Sequence, residues 1–149
     1  MPAIYIIAVL VVLLFLVGAY RMMGAGASTD EDPLAVLNAV LATAADAAGS
    51  LRTAVDAGNQ DGIHALRRTF DGCAQALERI AATPVDSELD EARAALEQAV
   101  DELTWSARLA ETPAHGRDPA IRDAALGLRT SGASSLARAK AAIGARGSS

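Results

Sequence analysis

Cysteine, histidine and aromatic residues are all scarce in this chain of 149 residues. Its one cysteine, Cys73, excludes an intramolecular disulfide framework. The two histidines, His64 and His115, have no second ligand at the spacing that helical di-iron motifs use. The aromatic residues are one Trp, two Tyr and two Phe. We therefore expect no metal site, no bound cofactor and a core of aliphatic side chains, with Cys73 as a small buried member of it.

Sequence motifs of catalysis are also missing. Gly24, Ala25 and Gly26 follow an apolar run rather than a strand, so they do not form a phosphate loop, and the chain contains no Gly-x-Ser-x-Gly. The acidic run Asp86–Glu91 is typical of a solvated helix start. A net charge of −5 argues against general nucleic-acid binding. The sequence predicts a protein that is not an enzyme.

What the chain does have is a long apolar run at its beginning. Residues 3–20 (AIYIIAVLVVLLFLVGAY) carry no charge, and Arg21 follows them. As a helix they would extend about 27 Å, close to the hydrocarbon thickness of a bilayer. A cleaved signal peptide is the first alternative, but no basic residue precedes the run. A core helix of a soluble protein is the second, but the run is apolar on every face. We expect a single membrane span.

The orientation of that span follows from Arg21 alone. It lies on the C-terminal side of the run, which favours a cytoplasmic position for the rest of the chain. Alanine is abundant, and every basic residue except Lys140 is an arginine. This composition indicates a GC-rich bacterial genome. We expect a bacterial, single-pass cell-membrane protein with residues 1–21 as anchor and residues 22–31 as a flexible linker of small residues.

Residues 32–146 divide into four amphipathic segments. Asp32–Pro33 and Asp118–Pro119 each combine an N-capping residue with a proline at the first helical position. Thr83 or Ser87 is expected to cap the third helix. Apolar residues at spacings of three and four predict one buried stripe per helix. The stripes are Leu34, Leu37, Leu41, Ala44, Ala48, Leu51 and Val55; Ile63, Leu66, Phe70, Cys73, Leu77 and Ile80; Leu89, Ala92, Leu96, Ala99, Leu103 and Ala110; and Ile121, Ala125, Leu128, Gly132, Leu136, Ala139 and Ile143.

The short connections between these segments predict the fold. They favour an all-α chain with one N-terminal transmembrane helix followed by an antiparallel four-helix bundle at residues 32–146, and a disordered tail at 147–149. A long coiled coil is the alternative, but breaks at residues 58–62, 83–84 and 113–119 count against it. The last stripe is the weakest, because Thr130, Ser131 and Gly132 interrupt it.

Charge is distributed unevenly between the last two helices. Residues 84–111 hold eight acids and two bases, whereas residues 119–149 hold five bases and one acid. One interpretation is that the two helices attract each other. The other is a basic surface, including Arg129, Arg138 and Lys140, that meets an acidic partner or anionic lipid.

Trp105 lies off the main stripe of the third helix and shares a face with Leu109. It either packs under the loop at residues 113–119 or forms an exposed anchor for a partner or a membrane interface. We include Trp105 and Leu109 with the three basic residues as candidate partner-binding residues.

The chain has an N-terminal span followed by a short helical domain. In this layout it resembles the small single-span accessory subunits, or association factors, of bacterial respiratory supercomplexes. The resemblance implies a non-enzymatic accessory or assembly subunit whose partners are integral-membrane proteins and the bilayer, and it assigns no residue a role. The alternative from another class is a membrane-tethered helical sensor or ligand-binding domain, which would need a cavity or an internal polar group. An enzyme has the least support.

Overall fold

The computed structural model describes residues 32–147, which form four α-helices and no strand. The helices are α1 (Pro33–Asp56), α2 (Gln60–Ile80), α3 (Ser87–Glu111) and α4 (Pro119–Gly147), and a 3-10 helix (Pro113–Gly116) lies between α3 and α4. The all-α prediction is confirmed for this range. The predicted anchor at 1–21, the linker at 22–31 and the last two residues of the predicted tail lie outside the described residues.

Side-chain caps begin the helices. Asp32 accepts a hydrogen bond from the Leu34 amide at 3.1 Å, and Asp118 accepts one from the Ala120 amide at 2.9 Å. Both Asp-Pro starts therefore lie where the sequence predicted them. The cap of α3 is Asp86, which accepts from the Leu89 amide at 3.0 Å, so the expectation of Thr83 or Ser87 was wrong. Asp86 is also acidic, which the positive end of the helix dipole favours.

The core is built from aliphatic residues on one stripe of each helix. All six predicted stripe residues of α3 are buried, and Phe70 of α2 is the one aromatic side chain buried within the described range. Alanine supplies much of the rest, so each helix contributes little area but can approach its neighbours closely. The largest fully buried apolar side chains are Phe70, Leu37, Leu51, Ile63, Leu77, Ile80, Leu96 and Leu103.

Gly132 allows α4 to approach α3. A Cβ at this buried position would lie 2.8 Å from Cγ of Leu103 and 3.4 Å from the carbonyl oxygen of Ala99. Beside it, the Ser131 hydroxyl donates to Glu102 at 2.9 Å. Gly132 thus lies on the predicted stripe of α4, and Ser131 and Gly132, expected to weaken that stripe, are part of the α3–α4 contact. The missing side chain of Gly132 is what permits the close approach.

Polar contacts show how neighbouring helices run. The Ser106 hydroxyl near the end of α3 donates to the Ala125 carbonyl near the start of α4 at 2.7 Å, while Asp86 at the start of α3 pairs with Arg146 at the end of α4. These two contacts make α3 and α4 antiparallel. Every buried side-chain nitrogen or oxygen within the described range has a hydrogen-bond partner, which is the condition for burying polar groups at low cost.

Arg93 ties α3 to the end of α2. Its Nη1 donates to the carbonyl oxygens of Ile80, Ala81 and Thr83 at 3.3, 3.3 and 3.4 Å, and its Nη2 pairs with Asp90. These carbonyls belong to the last turn of α2 and the following loop, where helix geometry leaves them without intrahelical donors. Arg93 therefore caps the C-terminal end of α2 from a neighbouring helix.

Among the described helices, α1 is long and apolar enough to cross a membrane by length and composition alone, with a mean hydropathy of 1.5 over its best window. Core helices of soluble proteins and signal sequences have the same properties. Six α1 residues, including Leu37, Ala44 and Leu51, are buried in the core shared with the other helices. The length and composition of α1 therefore do not show that it spans a membrane. The apolar run at residues 3–20 lies outside the described residues.

Candidate interaction surfaces

Trp105 is one of two large apolar side chains that are exposed within residues 32–147, the other being Leu126. It keeps 49% of its surface accessible on α3, and the Arg108 guanidinium carbon lies 5.0 Å from the ring centroid. The two are three residues apart on one helix face, so the cation covers a ring face without burying the ring. This exposure favours the interaction-surface interpretation over packing beneath the loop. We call Trp105, Arg108 and Leu109 the Trp105 surface; Leu109 is half-buried.

Arg138, a predicted partner-binding residue, is engaged within the bundle. Its Nη2 donates to Gln98 of α3 at 2.9 Å and to Ser135 at 3.1 Å. Arg146 likewise pairs with Asp86. For these two residues, the structure favours the interpretation in which α3 and α4 attract each other. The contribution to stability is modest, because partly exposed ion pairs and hydrogen bonds are screened by water.

Arg129 and Lys140 differ from Arg138. Their side chains form no hydrogen bond or ion pair with other residues of the described range, and neither does that of Arg122. Arg122 and Leu126 were not among the predicted site residues. The sequence spacing does place them on one face with Arg129. Leu126 and Arg129 follow Arg122 by four and seven residues, and residues at i, i+4 and i+7 share a helix face.

A polar cluster lies where α2 begins and α3 ends. Glu111 accepts a hydrogen bond from Nε of Arg67 at 2.7 Å, and Nδ1 of His64 lies 2.8 Å from its other oxygen. Arg67 also lies 3.7 Å from Asp71. His64, which appeared isolated in the sequence, thus has a carboxylate partner 47 positions away. Sequence spacing could not show this contact, because it depends on the pairing of two helix ends.

Beside this cluster the bundle end opens into a cleft of about 460 Å³. Apolar side chains form much of its wall, and polar groups come from Gln60, Glu111 and His115. Its size falls within the range of small-molecule sites. The lining residues are Val55, Gly58, Gln60, Ile63, Ala110, Glu111, Thr112, Pro113, His115 and Gly116.

Cys73 lies on the buried stripe of α2 and is 4% exposed. Burial removes the thiolate from water and raises the pKa of Cys73 from 9.0 to about 11. A nucleophilic cysteine needs the opposite shift. The geometry is that of a core thiol.

Within residues 32–147, no group of three or more His, Cys, Asp or Glu side chains is arranged to hold a metal ion. Comparison with known proteins finds no matching family model, no matching curated protein and no matching solved structure. The arguments for function therefore come from the surfaces described above.

Proposed function

We propose that this chain is a non-enzymatic, membrane-anchored accessory or assembly subunit of a larger membrane protein complex, which its layout suggests is a bacterial respiratory supercomplex. Residues 1–21 act as a single membrane span, and the helical domain is an antiparallel four-helix bundle on the cytoplasmic side. Integral-membrane subunits are its partners, and the Trp105 surface is where the bundle binds them.

The observation that carries this proposal is the exposure of Trp105 on a helix whose other large apolar side chains are buried or half-buried. A tryptophan that contributes to folding alone is largely covered, whereas this side chain is about half accessible beside Arg108. Trp and Arg are the residues most enriched at the energetic centres of protein interfaces. Half-buried Leu109 adds apolar area on the same face.

The test is affinity purification of the full chain from its native membrane in mild detergent. We expect fixed-stoichiometry recovery of integral-membrane subunits, reduced about thirtyfold by Trp105→Ala, the loss typical of an interface hot spot. Leu126→Ala, which truncates the other exposed large apolar side chain, is the matched control and should retain the partners. Circular dichroism should show unchanged helical content for both variants. Recovery of the chain alone or only as a homo-oligomer would contradict the proposal.

A second candidate function, a membrane-tethered ligand-binding or sensor domain, is supported by the cleft at the bundle end. Its volume and mixed lining suit a small molecule with an apolar body and one polar group. A compound that raises the melting temperature of the chain should lose its effect in Val55→Phe, which fills part of the cleft. Val85→Phe is the control, because Val85 is also half-buried but precedes α3 and does not line the cleft. A compound affecting both variants equally would bind elsewhere.

A further inference from the structure

Four exposed or half-buried residues of α4 form one continuous surface. Arg122, Leu126, Arg129 and Lys140 are separated by four, three and eleven positions, which are all near-whole numbers of helical turns. The other three therefore point within about 40° of the direction of Arg122 around the helix axis, and the set extends along about 27 Å of it. We call these four residues the α4 stripe.

Most of the α4 stripe faces solvent: Arg122, Leu126 and Lys140 are exposed, and Arg129 is half-buried. The side chains of Arg122, Arg129 and Lys140 have no hydrogen-bond or ion-pair partner among residues 32–147, and Leu126 is 52% exposed. In contrast, Arg138 is bound to Gln98 and Arg146 to Asp86. Arg138 points about 160° away from Arg122 by helix geometry. The bundle thus separates the basic residues of α4 into a structural set and an unpaired set.

The chemistry of the α4 stripe selects an anionic, flat partner. Its three charges are all positive, and Asp123, the one acid of α4, is rotated about 100° from Arg122. Asp118 lies one turn before Arg122, where its carboxylate accepts a hydrogen bond from the Ala120 amide and caps the helix. The charges are spread along a convex helix rather than gathered around a pocket. An exposed aliphatic side chain between two arginines can enter the acyl boundary while the guanidinium groups remain among phosphates.

We propose that the α4 stripe binds the anionic lipid surface of the membrane that holds the chain. This inference rests on the proposed function, because it takes residues 1–21 to be the anchor. Ten residues, 22–31, separate the predicted anchor from the four helices, and a chain of ten residues reaches at most about 36 Å. A connection of this length would hold the helices near the headgroups, where a basic and partly apolar helix face can bind anionic lipid. Each Lys or Arg at such a surface strengthens the contact about fivefold.

The experiment uses the full chain in nanodiscs of phosphatidylcholine, with or without about a third of phosphatidylglycerol, a composition chosen on the electrostatic argument. An environment-sensitive dye is attached to Ala133→Cys. Ala133 is exposed, and it follows Arg122 by eleven positions, so it lies on the same face of α4 and its replacement leaves all four stripe residues intact. Ala94→Cys, at an exposed position of α3, is the control. The wild-type chain gives the labelling background, because Cys73 is buried.

We expect a blue-shifted dye spectrum at residue 133 in anionic discs only, with no change at residue 94. The triple variant R122Q/R129Q/K140Q should weaken docking on the order of 100-fold, and R122K/R129K, which keeps the charges, should preserve it. High salt should reverse the shift.

Equal spectra in neutral and anionic discs would overturn the inference while leaving the anchor intact. A blue shift at residue 133 only in native membranes, and not in anionic discs, would also overturn it and indicate an acidic protein partner instead. Failure of the chain to enter even neutral discs would overturn the proposed anchor and this inference with it.

Discussion

Gly132 is a residue at which one added carbon should change the packing of two helices. In Gly132→Ala the new Cβ would clash with Leu103, and overpacking of this kind costs about 1–3 kcal/mol. Better helix propensity returns up to about 1 kcal/mol. We expect a lower free energy of unfolding in denaturation followed by circular dichroism.

The matched control is Gly127→Ala in the same helix. A Cβ at Gly127 meets no atom within 4 Å, so propensity alone acts, and we expect a gain of about 0.5–1 kcal/mol. Equal stabilisation by both substitutions would show that α3 and α4 do not approach closely at Gly132.

Cys73 should respond to pH as a buried thiol. Because its pKa is raised to about 11, the native chain should react with iodoacetamide far more slowly than its unfolded form near pH 8. The native state favours the protonated thiol, so its contribution to stability is present below pH 9 and is lost as the pH rises from about 9 to about 11. Equal alkylation rates with and without denaturant would contradict the burial of this thiol.

At the scale of single elements, Asp86 has two separable roles. One carboxylate oxygen caps α3 through the Leu89 amide, and the other pairs with Arg146 of α4. Asp86→Asn keeps a capping oxygen and removes the charge, so it should cost at most about 1 kcal/mol. Asp86→Ala removes both and should cost about 1–3 kcal/mol in the free energy of unfolding. Equal effects of the two substitutions would argue against the cap.

The stripe of α3 and two of the caps were predictable because they are local. An Asp-Pro pair and apolar residues at spacings of three and four are recognisable within a few neighbouring residues, because both patterns follow from the geometry of a single helix. The predicted stripe of α1 was correct only in part: Leu37, Ala44 and Leu51 are buried, but so are Val40, Ala47 and Ala54, which were not predicted, whereas Leu34, Leu41, Ala48 and Val55 are half-buried. The cap at Asp86 was missed because three neighbouring residues, Thr83, Asp86 and Ser87, can all accept from a backbone amide. Which of the three becomes the cap depends on the residue at which the helix begins, and propensity alone does not fix that residue to within a few positions.

The candidate surfaces were predictable only in part. The sequence showed that Trp105 lies off the buried stripe, since this depends on one helix alone. Helix geometry alone places Arg138 on the opposite side of α4 from Arg129 and Lys140. Which of the two sides faces α3 depends on how α4 is rotated against α3, and the sequence does not show this. The pairing of His64 with Glu111 and the cleft beside it depend on tertiary packing in the same way.

At the scale of the whole molecule, the Trp105 surface and the α4 stripe lie on different helices and should act separately. Trp105→Ala should release the protein partner and leave the dye signal of residue 133 in anionic discs unchanged. The variant R122Q/R129Q/K140Q should do the reverse. Loss of both properties in either variant, with normal helical content, would show that the two surfaces form a single site.

The polar contacts between α3 and α4 also limit how the domain can move. Sliding α4 by one helical turn, about 5.4 Å, would carry Gly132 away from Leu103 and part the Ser106 hydroxyl from the Ala125 carbonyl. We expect a shift of this size to be opposed by steric overlap at the crossing and by the cost of an unpaired buried hydroxyl. We therefore expect α3 and α4 to move as one rigid pair. Partners bound to the Trp105 surface on α3 and to the α4 stripe would then keep a fixed separation.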